Sequence, residues 1–271
     1  STGESFSVTV YFGREGPSGG AAAAQAFAAD AMSSTGPAFR TTTLGFWRDW
    51  FATGNIPQTG DPKLTVLIRR LLMVIKASSW DNGGLSTCPA YQKFYTRNCS
   101  PIARGLALFG FLDEAKDIIL AKEAYTLLHG LRNFDTYNPS VRSIIDAGFS
   151  SSTTFPDKTE FSVDDPALML FTIGELWRLS GDRTFAEQTW PFVKYLIGLG
   201  ERDMGSLGTI AQNDGFQDDM LKWAFWRGDV MLSGEAGIEC SYFNMMWVSA
   251  LETASAIATT LGHTTESTHY A

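Results

Sequence analysis

Residues 213–220, "NDGFQDDM", set Asp214, Asp218 and Asp219 beside Asn213 and Gln217, around Gly215 and Phe216. Carboxylates this close repel one another, and folding by itself gains nothing from gathering them. Three kinds of chemistry are open to such a cluster. A solvated turn leaves every acid ionised. An oxygen-rich nest takes a hard cation, although the spacing is not that of an EF-hand loop. A carboxyl group walled by an apolar ring and flanked by negative charge keeps its proton, ready to donate it. Magnesium-dependent cyclisation would need further acidic ligands at helical spacing, and "DDMLKWAF" supplies none downstream. Cys88, Cys99 and Cys240 fit no zinc pattern, and only His129, His263 and His269 are available to help. Nucleophile-elbow, P-loop and H-E-x-x-H signatures are absent. Neither a metal nor a cofactor is expected.

The elements that must position these residues are mostly helical. "SFSVTVYF" (5–12) alternates polar and apolar side chains and reads as a strand, ended by "GREGPSGG". After it, "AAAAQAFAADAM" (21–32) and "LGFWRDWFA" (44–52) are helix formers. "DPKLTVLIRRLLMVIKAS" (61–78) opens with an Asp cap and Pro in the first turn, and "SPIARGLALFG" (100–110) starts on Ser-Pro. "LDEAKDIILAKEAYTLLHG" (112–130), "DDPALMLFTIGELWRLSG" (164–181), "DRTFAEQTWPFVKYLIGLG" (182–200) and "ECSYFNMMWVSALETASAIATTLG" (239–262) follow. They recur as capped pairs with Gly110, Gly181 and Gly262 at the short turns. The long connections, about 79–99, 131–163 and 201–238, carry many of the Trp, Asp and Asn residues. All arise on the same side of successive hairpins, so a site built from loops at one end of a helical toroid is the expectation. The organisation read here is an N-terminal strand and linker over 1–18 and a helical-hairpin domain over 19–271.

Bulk properties narrow the partners. The 271 residues are 44% hydrophobic, enough for a substantial core, with net charge −8 and no Lys/Arg-rich run, which argues against nucleic acid and anionic membranes. No apolar run is long enough to span a membrane. Aromatic residues make up 13% with eight Trp, which suits either a large core or a site lined with flat apolar rings. "STGESFSVTVYFGREG" lacks the pattern of a signal peptide, and a processed chain would look the same, so the compartment is open. Cys88 and Cys99 are placed either for a small loop disulfide or as thiols.

Four stretches together carry a resemblance: "GDPKLTVLIRRLLMVIKASSWDNGGLSTCP", "YTRNCSPIARGLALFGFLDEAKDII", "VDDPALMLFTIGELWRLSGD" and "GIECSYFNMMWVSALETASAIATTLG". In this order they resemble the six-hairpin (α/α)6-barrel glycosidases, the class of glucoamylases, glycogen-debranching glucosidases and trehalases. The likeness covers nearly the whole chain after residue 20. It implies an all-α, (α/α)6 toroid of helical hairpins, with the early strand left from a preceding β-sandwich. It also implies a carbohydrate substrate, cleaved by one carboxylic acid that protonates the leaving oxygen and one carboxylate that activates water.

By position in that resemblance, Asp218 matches the general acid, with Asp219 second and Phe216 as its apolar wall. Glu239 matches the Glu of the family's "V-E" helix start, as an acceptor for sugar hydroxyls or as a cap favoured by the helix dipole. Arg97 and Asn98 match an Arg-Asp pair that grips the terminal sugar, with an amide here in place of the carboxylate. Asp165, beside Asp164, heads the third inner helix as a sugar ligand or an N-cap. Trp80, Tyr91 and Tyr95 in the first long connection, and Trp223 and Trp226 in the last, are candidates for stacking on sugar faces. Trp47, Trp50, Trp177, Trp190 and Trp247 lie within helices and are assigned to the core.

The family closes its ring with twelve helices, and its second catalytic carboxylate arrives in a later hairpin. The expectation is a barrel lacking its last hairpins, with exposed inner faces that favour self-association. The leading function is an inverting hydrolase of α-linked glucosides or related sugars. The rival is a non-catalytic carbohydrate-binding or scaffold protein derived from the same fold, and a third reading is a helical domain that binds no sugar.

Overall fold

The structure, a computed structural model, describes residues 25–26, 29, 36–86, 94–131, 137–156, 164–202, 211–212, 238–239 and 241–271. The strand expected over 5–12 lies outside these residues. The chain divides into two compact units, Ser1–Pro57 and Gln58–Ala271. The described residues are predominantly helical, so the all-α class holds.

In the first unit, α1 (Gly36–Thr53) gathers Phe46, Trp47, Trp50 and Phe51 into one edge-packed aromatic group, in which Trp50 is buried.

The second unit begins with α2 (Pro62–Ser78). Asp61 caps it as expected, its Oδ1 accepting the Lys63 amide at 2.8 Å, with Pro62 in the first turn. Leu72 turns inward, whereas Leu64, Val66, Leu67, Leu71 and Val74 stay exposed. There follow α3 (Thr96–Leu108), α4 (Leu112–His129), α5 (Ser140–Ala147), α6 (Asp165–Ser180), α7 (Arg183–Arg202), α8 (Ser241–Leu261) and α9 (Thr264–Tyr270). A short antiparallel pair, β1 (Ala211–Gln212) with β2 (Ile238–Glu239), lies ahead of α8.

Helix α3 departs from its expected start at Ser100–Pro101. It begins at Thr96 and carries Pro101 inside. The proline removes only the bond to the Arg97 carbonyl. The turn before it is held by the Tyr95 carbonyl, which accepts from the amides of Asn98 and Cys99, and by burial of Thr96, Cys99 and Ser100. Burial there outweighs the Ser-Pro start signal. Helix α5 was not expected at all within the 131–163 connection. The short turns close as the sequence suggests, on Gly110, Gly181 and Gly262 with φ of 83°, 62° and 85°.

Three hairpins, α3–α4, α6–α7 and α8–α9, stack in chain order. Their first members lie side by side, α6 between α3 and α8, while α7 packs behind α6 and touches α8. Lys116, near the start of α4, pairs with Asp182 in the α6–α7 turn at 2.6 Å. Arg183, opening α7, donates to the Thr260 carbonyl near the end of α8 at 2.9 Å. The short turns therefore share one end of the stack. The N-termini of α3 and α6 meet at the other end, where the long connections attach.

Close approach between neighbours depends on two glycines. A β-carbon on Gly200 of α7 would enter the Trp247 ring of α8, and one on Gly174 of α6 would collide with Thr253 Cγ2. Gly174→Ala is expected to cost about 1–3 kcal/mol by overpacking. Adding Thr253→Ser should return most of that loss in urea midpoint. The serine deletes the colliding methyl and keeps the hydroxyl that accepts from Arg178 Nη2 at 3.3 Å. The outward sides of the stack stay partly apolar, with Leu108 69%, Met245 66% and Val248 57% exposed.

Candidate functional site

The end carrying the long connections is built on α4, whose residues 118–126 are buried on every side. Tyr125 of that helix anchors a cluster of rings: Trp80 to Phe94 at 6.1 Å, Trp80 to Tyr125 at 6.3 Å, Trp80 to Tyr137 at 5.9 Å and Phe94 to Tyr125 at 5.5 Å. The tight loop after α2 is pinned beneath them. Asn82, buried, donates through Nδ2 to the Asn138 carbonyl at 2.8 Å and accepts the Gly84 amide at 3.0 Å. A β-carbon on Gly84 would press into the Trp80 ring, so Trp80 is committed to packing on that side.

Charges continue from the rings. Lys122, fully buried, lies 5.6 Å from the centre of the Phe94 ring and donates to the Phe94 carbonyl at 3.4 Å. Burial pushes its pKa down, while the facing Asp165 pushes it back up. Cys99, also buried, is a free thiol whose Sγ lies 3.5 Å from the Thr96 carbonyl. Burial raises its pKa to about 12, so it is neutral and engaged in no disulfide. Arg97 Nε meets Asp164 Oδ2 at 3.1 Å, joining the N-terminus of α3 to that of α6.

Asp164 holds the N-cap position of α6 without capping it. Its backbone is already helical, φ −81° and ψ −17°, rather than in the extended conformation from which a cap side chain reaches back, and Pro166 at the second helical position has no N–H to donate. The Asp164 side chain is fully buried instead, and neither oxygen has a well-aligned hydrogen bond. Burial first, then the neighbouring Asp165, raises its pKa to about 7 against the opposing pull of Arg97. Near neutral pH this carboxyl group exchanges its proton.

Of the residues singled out from sequence, the structure brings together Trp80, Tyr95, Arg97, Asn98 and Asp165 at this end. Tyr95 is the N-cap of α3, and Asn98 is half-buried one position after Arg97. Asp165 is buried and heads α6. Glu239 departs from the expected helix start: it lies in β2, paired with Ala211, two residues before α8. Asp218, Asp219 and Phe216 lie outside the described residues, as do Tyr91, Trp223 and Trp226. Trp190 and Trp247 are buried in the core as expected.

Two residues of the cluster, Asp164 and Lys122, were not singled out from sequence, nor was the buried Glu123 beside Lys122 in α4. For Asp164 the signal was the "DDPA" order, which removes one of the two amides a cap side chain can accept from. For Lys122 and Glu123 it was a charged pair inside the otherwise apolar run 118–128. Glu123 is buried with no hydrogen-bond partner for either oxygen, and burial holds its pKa well above the usual carboxylate range. Among the described residues no group of three or more His, Cys, Asp or Glu is placed to hold a metal, and no helix is long and apolar enough to cross a membrane.

What converges here is a guanidinium beside an ionisable buried acid, a second acid near the buried Lys122, and a wall of aromatic rings. Trp80, Tyr95, Arg97 and Asn98 are half-buried and can reach a neutral polyhydroxylated ligand, whereas Asp164, Asp165, Lys122, Phe94 and Tyr125 are buried and act only by holding them. Comparison of the chain with protein-family models, with curated proteins and with solved structures finds no match.

Proposed function

We propose that the protein is a glycoside hydrolase of α-linked glucosides or related sugars, built on an arc of the (α/α)6 hairpin toroid. Its mechanism is inverting, with Asp218 as general acid. The observation that carries this reading is the meeting of Arg97 with Asp164, the residue beside Asp165. Two stretches singled out separately in the sequence, at the heads of α3 and α6, supply one ion pair of 3.1 Å at the end where the long connections attach. Neighbour-by-neighbour stacking of capped hairpins supports the same reading, and so do the apolar residues left exposed on the outward sides of the stack. In this scheme Arg97 and Asn98 bind sugar hydroxyls with the buried Asp165 behind them, Trp80 and Tyr95 wall the site, and Phe216 and Glu239 belong to it from the last connection.

A second reading, a carbohydrate-binding protein without turnover, is favoured by one residue. Asn98 stands where the resembled pair carries a carboxylate, and an amide accepts a hydrogen bond without adding charge. Incubation with maltooligosaccharides, α-rhamnosides and trehalose separates the two. Release of reducing sugar with inverted anomeric configuration supports the hydrolase. Quenching of Trp fluorescence by the same sugars with no product supports the binder. No product and no quenching removes both.

A further inference from the structure

The mechanism proposed above gives Asp164 no part, yet its carboxyl group is the most constrained in the cluster. It is fully buried, makes no capping hydrogen bond to its helix, and is set 3.1 Å from Arg97 Nε. From its own helix it faces Asp165; from α3 it faces Arg97. Behind them lie Lys122 of α4, turned to Asp165, and the neutral Cys99 thiol.

We propose that Asp164 is a positioning residue for Arg97, holding one edge of the guanidinium through Nε and so orienting the rest of it for a ligand. The carbohydrate reading enters only in the choice of ligand. The hold depends on charge. An ionised Asp164 attracts the guanidinium, and a protonated one keeps at most a neutral contact of weaker grip. Arg97 is therefore fixed on the alkaline side of neutrality and loosened on the acid side. The side chain of Arg97 is 27% exposed, so a loosened guanidinium has solvent to turn into.

The test follows Arg97 itself. The protein is treated with phenylglyoxal between about pH 6 and pH 8.5, and adducts are mapped by peptide mass spectrometry, with exposed Arg70 of α2 as internal reference. In the native protein the Arg97-to-Arg70 ratio should fall about threefold or more across that range, as the ion pair forms. In Asp164→Asn the ratio should stay flat and exceed the native value at pH 8.5. A native ratio indifferent to pH overturns the proposal, and so does an Asp164→Asn ratio that matches it. The native measurement decides alone should the variant fail to fold. A parallel titration with maltotriose should tighten with pH in the native protein and stay level in Asp164→Asn. Absence of any maltotriose binding counts against the carbohydrate reading and leaves the labelling result to judge Asp164.

Discussion

Asp218→Asn is expected to slow hydrolysis of an oligosaccharide substrate by roughly a thousandfold while its affinity changes little. The argument rests on the leaving group. A sugar leaves as an alkoxide of high basicity, and only proton donation in the transition state makes its departure rapid. An asparagine of nearly equal shape retains contacts with bound sugar and has no such proton to give. The same reasoning predicts a much smaller loss on a nitrophenyl glycoside, whose leaving group needs little help, and loss of the alkaline limb of the pH–rate profile. Steady-state kinetics on the two substrates check it. Equal losses on both would assign Asp218 to binding, and no loss on either would remove it from the reaction.

The second large effect is on stability, and its sign is unusual for a carboxylate. Asp164 moves from an ordinary value of 3.8 to about 7 on folding. Between those values the folded chain keeps a proton that the unfolded chain has released, so stability falls as pH rises through this window. Below it both states are protonated, and carboxyl and amide groups behave alike. Asp164→Asn is therefore expected to leave the melting temperature nearly unchanged at about pH 4. At about pH 8 it should add roughly 2–4 kcal/mol, equivalent to about 4–10 °C in a chain of this size. Thermal unfolding followed by circular dichroism at both pH values tests it. A loss at pH 8 would mean that the Arg97 pair outweighs the burial of the charge. The native residue, on this account, gives up stability above neutrality to keep a guanidinium in place.

The helices that were legible from sequence have their signals nearby. Helix α2 shows Asp61–Pro62 at its start, α4 and α6 end at Gly130 and Gly181, and α7 runs on almost without a gap. The features that escaped depend on distant partners. Helix α3 gains a turn before Pro101 because Thr96, Cys99 and Ser100 are buried by neighbours that no local pattern reveals. Glu239 joins a ladder with Ala211, which lies far back along the chain, and so leaves the helix it was expected to open. The site divides in the same way. Arg97 and Asp165 stand out singly by residue type and position, but their convergence is tertiary. Lys122 and Glu123 look like surface charges until α4 is seen to be enclosed on every side.

The stacking of hairpins has a consequence for how the molecule comes apart. Substantial packing runs from each hairpin to its neighbour, as in a row of leaning books, with α6–α7 in the middle. Thermal disturbance then enters from the flanks, and the central pair is the last to release its amide protons to solvent. The heads of α3 and α6 straddle the first of these seams. Fraying of the α3–α4 flank would accordingly part Arg97 from Asp164 while the α6–α8 contact is still intact.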